Sequence, residues 1–458
     1  MRISSDTYPL AEEVLLLNSL AAHKAVLQTN CYDFINPPFF ARLIRELAGV
    51  GVILADGEDH KAKRRLIAGP FSVPSVRKML PVFQSKAKGL SIAFTAALDG
   101  YTQGSIQFMP LITKVTMDII GVTSLGVEIQ ELFSSKLNIG LPELYDRLLH
   151  QDPLGTLIWI VNSFLPIRRF VPLQANWKFV EAGQELRSLL RRVIKKRIHD
   201  MGARDKIAEK SESRDLLTYM IKEAHQIEEE TGEWCWTEDD FLELLLNFTL
   251  AGHETSANAL GWAMYVLATK HDVQARLRAE VQGLLEKHSE PDYDHLHALP
   301  YMHNFCREIL RLYSPAYMAF RAAEHDIVIE GTFIPKGTTI NICPAVENLN
   351  PHLWGEDAGV FNPDRWGNLT GDAVSSYAFE TFIQGPRICP GKNFAVTEIK
   401  AILVELVRKW RFVGIEKNDG RRELLTGGEE EIGRGVRLEN PSLTFIPAGG
   451  LRVRFEPL

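Results

Sequence analysis

Between Thr237 and about Ala268 the chain reads as one apolar helix, and this stretch constrains the fold more than any other. Thr237, with Asp240 three residues on, has the form of a capping box, although Asp is shorter than the usual Glu or Gln. At 1.5 Å per residue the helix spans about 45 Å, the scale of a large domain. Further helical patterns cover 174–200, 215–229, 271–287, 299–312 and 393–410. The polar stretch 202–213 reads as a surface loop and 230–233 as a turn. Strand-like alternation appears in HDIVIEG, in TFIPKGTTINIC and in a final strand pair around 447–450. No repeat or low-complexity tract interrupts the pattern. The expected fold is mainly α with minor β, in one domain covering 1–458, although 458 residues alone would allow about three domains.

Composition removes several classes. Hydrophobic residues make up 45% and charged residues 24%, which excludes a disordered, collagenous or disulfide-scaffold chain. A net charge of −7 argues against a dedicated nucleic-acid binder, which is normally basic. Five cysteines without paired spacing (Cys31, Cys235, Cys306, Cys343 and Cys389) suggest thiols in a reducing compartment. The N-terminus MRISSDTYPL shows no signal peptide or membrane anchor. The most apolar internal segment, 154–167, is too short to span a bilayer and is broken by Gly155, Asn162 and Pro166. It reads first as a buried helix, and second as a surface patch that dips into a membrane interface.

One cysteine stands apart. Phe382 to Gly391 has the pattern FxxGxRxCxG, and five fixed positions match by chance only on the order of 10⁻⁴ times in such a chain. Two glycines let backbone amides turn closely around a sulfur, and a thiolate in an apolar site needs such donors. Arg387 is placed to neutralise an anionic group of a bound cofactor. A helix follows Cys389 and turns its positive end toward the sulfur. The other four cysteines read as buried free thiols. Zinc is a poor rival for Cys389, since no second Cys or His lies at ligand spacing.

On this motif the chain resembles the cytochrome P450 family, whose haem iron is held by a cysteine thiolate, and four distant segments agree. Ala251 to Ser256, AGHETS, matches the family's oxygen-binding segment within the long helix. There Phe248, Gly252, Thr255 and Ala259 share a face whose small residues leave room for a flat cofactor. Thr255 can bond back to the Ala251 carbonyl. Glu308-Ile309-Leu310-Arg311 matches the ExxR element. The spacing recurs at Glu405–Arg408 and Glu431–Arg434, read as exposed charges, but only Glu308 precedes FNPDRW, where Arg365 would complete a buried ion network. His60 and Arg64 resemble the WxxxR pair that meets a haem propionate, with His in place of Trp. Lys61, Lys63 and Arg65 read as the solvated face of that helix. Arg321 follows the loop 313–320 and would meet a propionate, while Ala316, Tyr317 and Met318 would line the substrate pocket with Phe248 and Ala251.

The resemblance implies a cytochrome P450 fold around haem b. It makes Cys389 the metal ligand and Thr255 with Glu254 the catalytic proton relay, while His60, Arg64, Arg321, Arg387, Phe382 and Gly391 hold the cofactor. It further implies a monooxygenase that uses O2, an apolar substrate and a separate NADPH-dependent flavoprotein reductase, as a monomer without nucleic acid. AGHETS, ENLNPHLWGEDAGVFNPDRW and PSLTFIPAGGLRVRF are similar to microsomal-type eukaryotic members with a fungal flavour. That favours secondary-metabolite oxidation. Fatty-acid or xenobiotic hydroxylation, or a reductant-independent isomerase or dehydratase, stand as alternatives. The match begins near Glu12, so the chain reads as the catalytic domain of a longer protein anchored at the cytoplasmic face of the endoplasmic reticulum, or as a shortened, soluble intracellular variant.

Overall fold

The computed structural model describes residues 14–98, 104–132, 137–204, 215–232, 236–416, 424–425, 438–439, 444, 446–447 and 451–458. Cys235, the Glu431–Arg434 spacing, residues 205–213 and most of 417–450 lie outside them. The architecture is mainly helical with small sheets. Its axis is the helix Glu238–Thr269, whose capping box forms as expected: the Thr237 side chain accepts from the Asp240 amide, and Asp240 accepts from the Thr237 amide. From Phe241 to Thr269 this helix is buried at every position except Glu243, Ala251, Gly252, Glu254 and Thr255. Four of those five belong to one motif.

Two glycines set how closely a second helix, Phe108–Ile120, crosses the first. A Cβ on Gly252 would lie 2.3 Å from the Ile120 side chain, and one on Gly261 would lie 2.5 Å from Met109 Sδ. Gly252 therefore serves helix–helix packing on the side where a Cβ would stand. Phe108–Leu125, the one span among the described residues long and apolar enough to cross a membrane, is this packed core segment.

Around this pair lie Val73–Ala97, Gln174–Arg204, His271–Leu285, Pro300–Leu312 and Lys392–Lys409. Gln174–Arg204 runs on past residue 202, where a loop was expected. One apolar cluster extends from Ile44 to Phe455 through all of these elements. A four-stranded sheet has the order Val14–Leu16, Thr339–Ile342, Ala319–Ala323, Phe34–Ile35. Its first pair is parallel and the others antiparallel, with Arg321 opposite Ile340. A second sheet joins Gly104–Gln107, Arg452–Pro457, Trp410–Glu416 and Leu424–Leu425. Strand Trp410–Glu416 begins where the expected 393–410 helix ends.

Three surface expectations need correction. Lys63 is buried rather than solvated, and Asp59 one turn back pairs with it. Glu405 is buried too, paired with Arg408. The apolar segment forms the helix Pro153–Phe164, which buries Ile158 and Trp159 but turns Leu154, Leu157, Ile160 and Phe164 outward. With Leu165, Phe170 (82% exposed) and Trp177 they make an apolar surface strip, so the buried-helix reading holds for one face only.

Candidate active site

The cysteine loop is shaped by backbone constraints. Gly385 has φ +74°, and a Cβ there would lie 2.0 Å from the Leu27 carbonyl oxygen, so only glycine fits. The Cys389 amide donates to the Phe382 carbonyl at 2.9 Å. Helix Lys392–Lys409 starts three residues after Cys389, with Gly391 as its cap. Burial pushes the Cys389 thiol above its ordinary value, against the Gly391 amide, Arg64 and Lys392, which pull it down. The side chain is deep in the protein and yet exposed, so it opens into an internal cleft.

Phe71 connects this loop to the long helix. Its ring meets Phe248 edge-on at 5.2 Å between centroids, and it lies 4.0 Å from where a Cβ on Gly391 would be. Ala251 and Thr255, one and two turns beyond Phe248, are among the few accessible positions of a mostly buried helix. The Thr255 hydroxyl donates to the Ala251 carbonyl at 2.6 Å, as its position suggested. Glu254 accepts from the Thr444 hydroxyl at 2.6 Å, and Thr444 accepts from Asn258 Nδ2 at 2.7 Å. His253 faces the opposite side. It is buried against Tyr145 with Nδ1 on the Thr249 carbonyl, and burial pushes it down to about 4, so it is neutral.

A positive cluster stands beside the cysteine. His60 is 2% exposed, and burial, then Arg387, Arg64 and Arg321, push it down to about 3. Arg387 donates to the Ala55 carbonyl and to Asp56 Oδ1, both at 2.9 Å. Arg321 donates to Asn36 Oδ1 at 3.0 Å, and Asn36 in turn donates to Asp56. Arg64 reaches the Ile388 carbonyl at 2.8 Å, next to Cys389. Tyr32 bonds His60 at 3.2 Å. Tyr32, Asn36 and Asp56 carry no motif, and nothing in the sequence marks them. Arg387 Nε is buried without a hydrogen-bond partner. Two buried guanidiniums, Arg321 and Arg387, the half-buried Arg64 and a donor-capable imidazole, offset by Asp56, make a receptor for a further anion. A soft sulfur ligand, an apolar cleft and that anion receptor fit haem with its two propionates.

Behind the site, Glu308 accepts from Arg311 at 2.7 and 2.9 Å and from Arg365 Nε at 3.1 Å. The Trp366 indole and the Asn362 amide complete its shell at 3.0 Å each. The three-residue network is thus larger than its motif, and Asp357 anchors Arg365 from outside. Phe382 is half-buried, and Lys392 Nζ lies 5.9 Å from its ring. Ala316 is exposed while Tyr317 and Met318 are half-buried. Cys31 and Cys306 are buried thiols, and Cys343 is half-buried with Sγ on the Tyr317 carbonyl.

Comparison with known proteins agrees with this chemistry. Residues 7–428 match the sequence model of the cytochrome P450 family. Cytochrome P450 monooxygenase sphH of Aspergillus fumigatus is 29% identical, over 97% of this chain and 79% of its own length. Cytochrome P450 monooxygenase FUM15 of Gibberella moniliformis is 28% identical, over 98% and 80%. Cytochrome P450 monooxygenase 128 of Postia placenta is 30% identical, over 80% and 71%. With a thiol, an anion receptor and an opened helix arranged as haem chemistry requires, and with these relatives, the chain belongs to the cytochrome P450 family, as a monooxygenase that uses haem iron.

Proposed function

We propose that the chain acts as one catalytic domain that holds haem b through Cys389 and oxidises a terpenoid, alkaloid, peptide or polyketide scaffold in secondary metabolism. The observation that carries the reading is the deep, accessible Cys389 beside a cluster of His60, Arg64, Arg321 and Arg387. When bound, the haem supplies the activation of O2. The side chains do the rest. His60, Arg64, Arg321 and Arg387 hold the propionates, and Phe382 and Gly391 shape the sulfur's surroundings. Thr255 and Glu254 hold a proton at the accessible face of the long helix. Phe248, Ala251, Ala316, Tyr317 and Met318 line the substrate's side, where apolar walls exclude water.

Electrons come from a separate NADPH-dependent flavoprotein, met by the monomer at the outer face of helix Gly57–Ala68. Lys61 and Arg65 are exposed there, behind the buried His60, and suit an acidic partner. The apolar strip from Leu154 to Trp177 rests against a membrane, which we assign to the cytoplasmic face of the endoplasmic reticulum. Phe164 on that strip stacks on Phe39 at 5.6 Å, and Phe39 meets Phe320 at 5.3 Å, next to Arg321. Apolar contacts therefore run from the strip toward the site. The reading is tested by incubating fungal metabolite extracts with the haem-loaded protein, with and without NADPH and reductase. Products carrying one added oxygen only in the complete mixture support it. Turnover without reductant contradicts it.

A further inference from the structure

His23, Glu347 and Glu380 meet in the interior, although they come from three separate stretches of chain and belong to none of the motifs. His23 lies on the short helix Leu20–Lys24, Glu347 on Pro344–Asn348, and Glu380 just before the cysteine loop. Exposure is 0% for His23, 2% for Glu347 and 0% for Glu380. His23 Nδ1 is 2.7 Å from Glu380 Oε2, and Nε2 is 3.5 Å from Glu347 Oε1. With a carboxylate facing each ring nitrogen, the imidazole serves both only when both nitrogens carry a proton. Burial by itself lowers the His23 pKa, but the two carboxylates, Glu347 in ion-pair reach and Glu380 hydrogen-bonded, outweigh it and raise the pKa to about 9. Burial also raises Glu380, against His23, which lowers it. The other titratable groups within reach are Tyr377 beside Glu380 and Cys343 beside Glu347, both raised by burial. Among the described residues no three His, Cys, Asp or Glu side chains are arranged to hold a metal ion. The cluster is an ionic clamp.

Glu380 carries that clamp into the site. Its amide donates to Asn348 Oδ1 at 3.2 Å, and the Asn348 carbonyl accepts from Arg311. Its carbonyl accepts from the Ile383 amide at 2.8 Å, closing a turn that leaves Ile383 at φ +55°. A β-branched residue adopts that conformation only when its surroundings hold it there. The same turn aims the Phe382 carbonyl at the Cys389 amide.

We propose that His23 is a positioning residue for the Cys389 loop, its imidazolium fixing Glu380 so that the strained 380–383 turn presents Phe382 to Cys389. The proposal rests on the reading of Cys389 as the haem ligand. Its test follows the haem-thiolate absorption band of the reduced, carbon monoxide-bound holoprotein over time, with the helical circular-dichroism signal recorded in parallel. His23→Gln removes the charge but keeps one hydrogen bond, and Glu380→Leu removes the acceptor of Nδ1, leaving His23 only the Glu347 carboxylate at 3.5 Å. Both are expected to lose the band roughly tenfold faster than the parent, as one partner of a buried pair is stranded, while the helical signal persists. Glu380→Gln keeps an acceptor for His23 and leaves Glu347 to balance its charge, so the band lasts as in the parent. Should His23→Gln not fold, the contrast between Glu380→Leu and Glu380→Gln decides. Parent-like lifetimes in Glu380→Leu, or in a folded His23→Gln, overturn the proposal, as does loss of band and helix together in Glu380→Leu. A parent without the band contradicts the ligand reading instead.

Discussion

The Thr255 hydroxyl donates to the Ala251 carbonyl one turn back along the same helix, at 2.6 Å. Its one hydrogen is thus engaged, and its oxygen is left to accept. Thr255 therefore receives a hydrogen bond before it gives one, as a relay at an accessible helix face requires. Thr255→Ala should retain haem and substrate binding but lower product formed per reductant consumed by roughly tenfold or more. Thr255→Ser, which keeps the hydroxyl, should stay near the parent. Measured coupling ratios that do not differ between Ala and parent remove Thr255 from the relay.

Glu254 is held by a residue almost two hundred positions away. Because Thr444 donates to Glu254 and accepts from Asn258, Thr444→Val removes one hydrogen bond from the carboxylate and the acceptor of Asn258 Nδ2. Coupling should fall by roughly threefold to tenfold, with haem content and the absorption band unchanged. An unaltered coupling ratio would show that Glu254 needs no such support.

The Glu308 network is a stability device. Glu308→Gln leaves Arg311 without a carboxylate, and Arg365 with Asp357 alone, in a site where Glu308 and Arg311 are fully buried. Stranding buried charge costs about 3–5 kcal/mol, measurable by denaturant unfolding of the haem-loaded protein. Glu405→Gln removes only a carboxylate at the edge of the core, whose partner Arg408 is partly exposed, and should cost much less. Equal losses in the two variants would contradict the assignment.

Glu398 sets a pH dependence. It is fully buried on helix Lys392–Lys409, neither carboxylate oxygen has a partner at ordinary hydrogen-bond geometry, and the Ser256 hydroxyl faces it loosely. Burial raises it from 4.5 to about 8, with Ser256 opposing. The folded protein therefore keeps a proton that the unfolded chain gives up. This contribution is full below about pH 4.5 and is lost as the pH rises through about 8. A tenfold gain in proton affinity on folding is worth about 1.4 kcal/mol, so the loss is a few kcal/mol. Glu398→Gln should flatten the fall in stability between pH 5 and 8. Parallel pH profiles for variant and parent would show that Glu398 is not protonated in the fold.

Much of the site is legible where chemistry forces particular residue types close together in the chain. The Cys389 loop needs Gly385 because no Cβ fits against Leu27, and Glu308 with Arg311 pair across one helical turn. The capping box at Thr237 is local for the same reason. What escapes is decided by neighbours distant in sequence. Tyr32, Asn36, Asp56 and Thr444 enter the site through contacts that no spacing encodes. Lys63 and Glu405 read as exposed charges, yet each is covered by packing and paired one turn away. Helical periodicity also could not tell which face of Pro153–Phe164 would be covered, since the covered face mixes Ile158 and Trp159 with Asn162 and Ser163 while the outward face is apolar.

The most direct measurement is the absorption spectrum of the reduced protein with carbon monoxide, taken for the parent and for Cys389→Ser. The haem-thiolate band should appear in the parent and vanish in the variant, because Cys389 is the one cysteine among the described residues that opens into the cleft beside His60, Arg64 and Arg387. Identical spectra from the two proteins would show that another group holds the haem and would contradict the account at its centre.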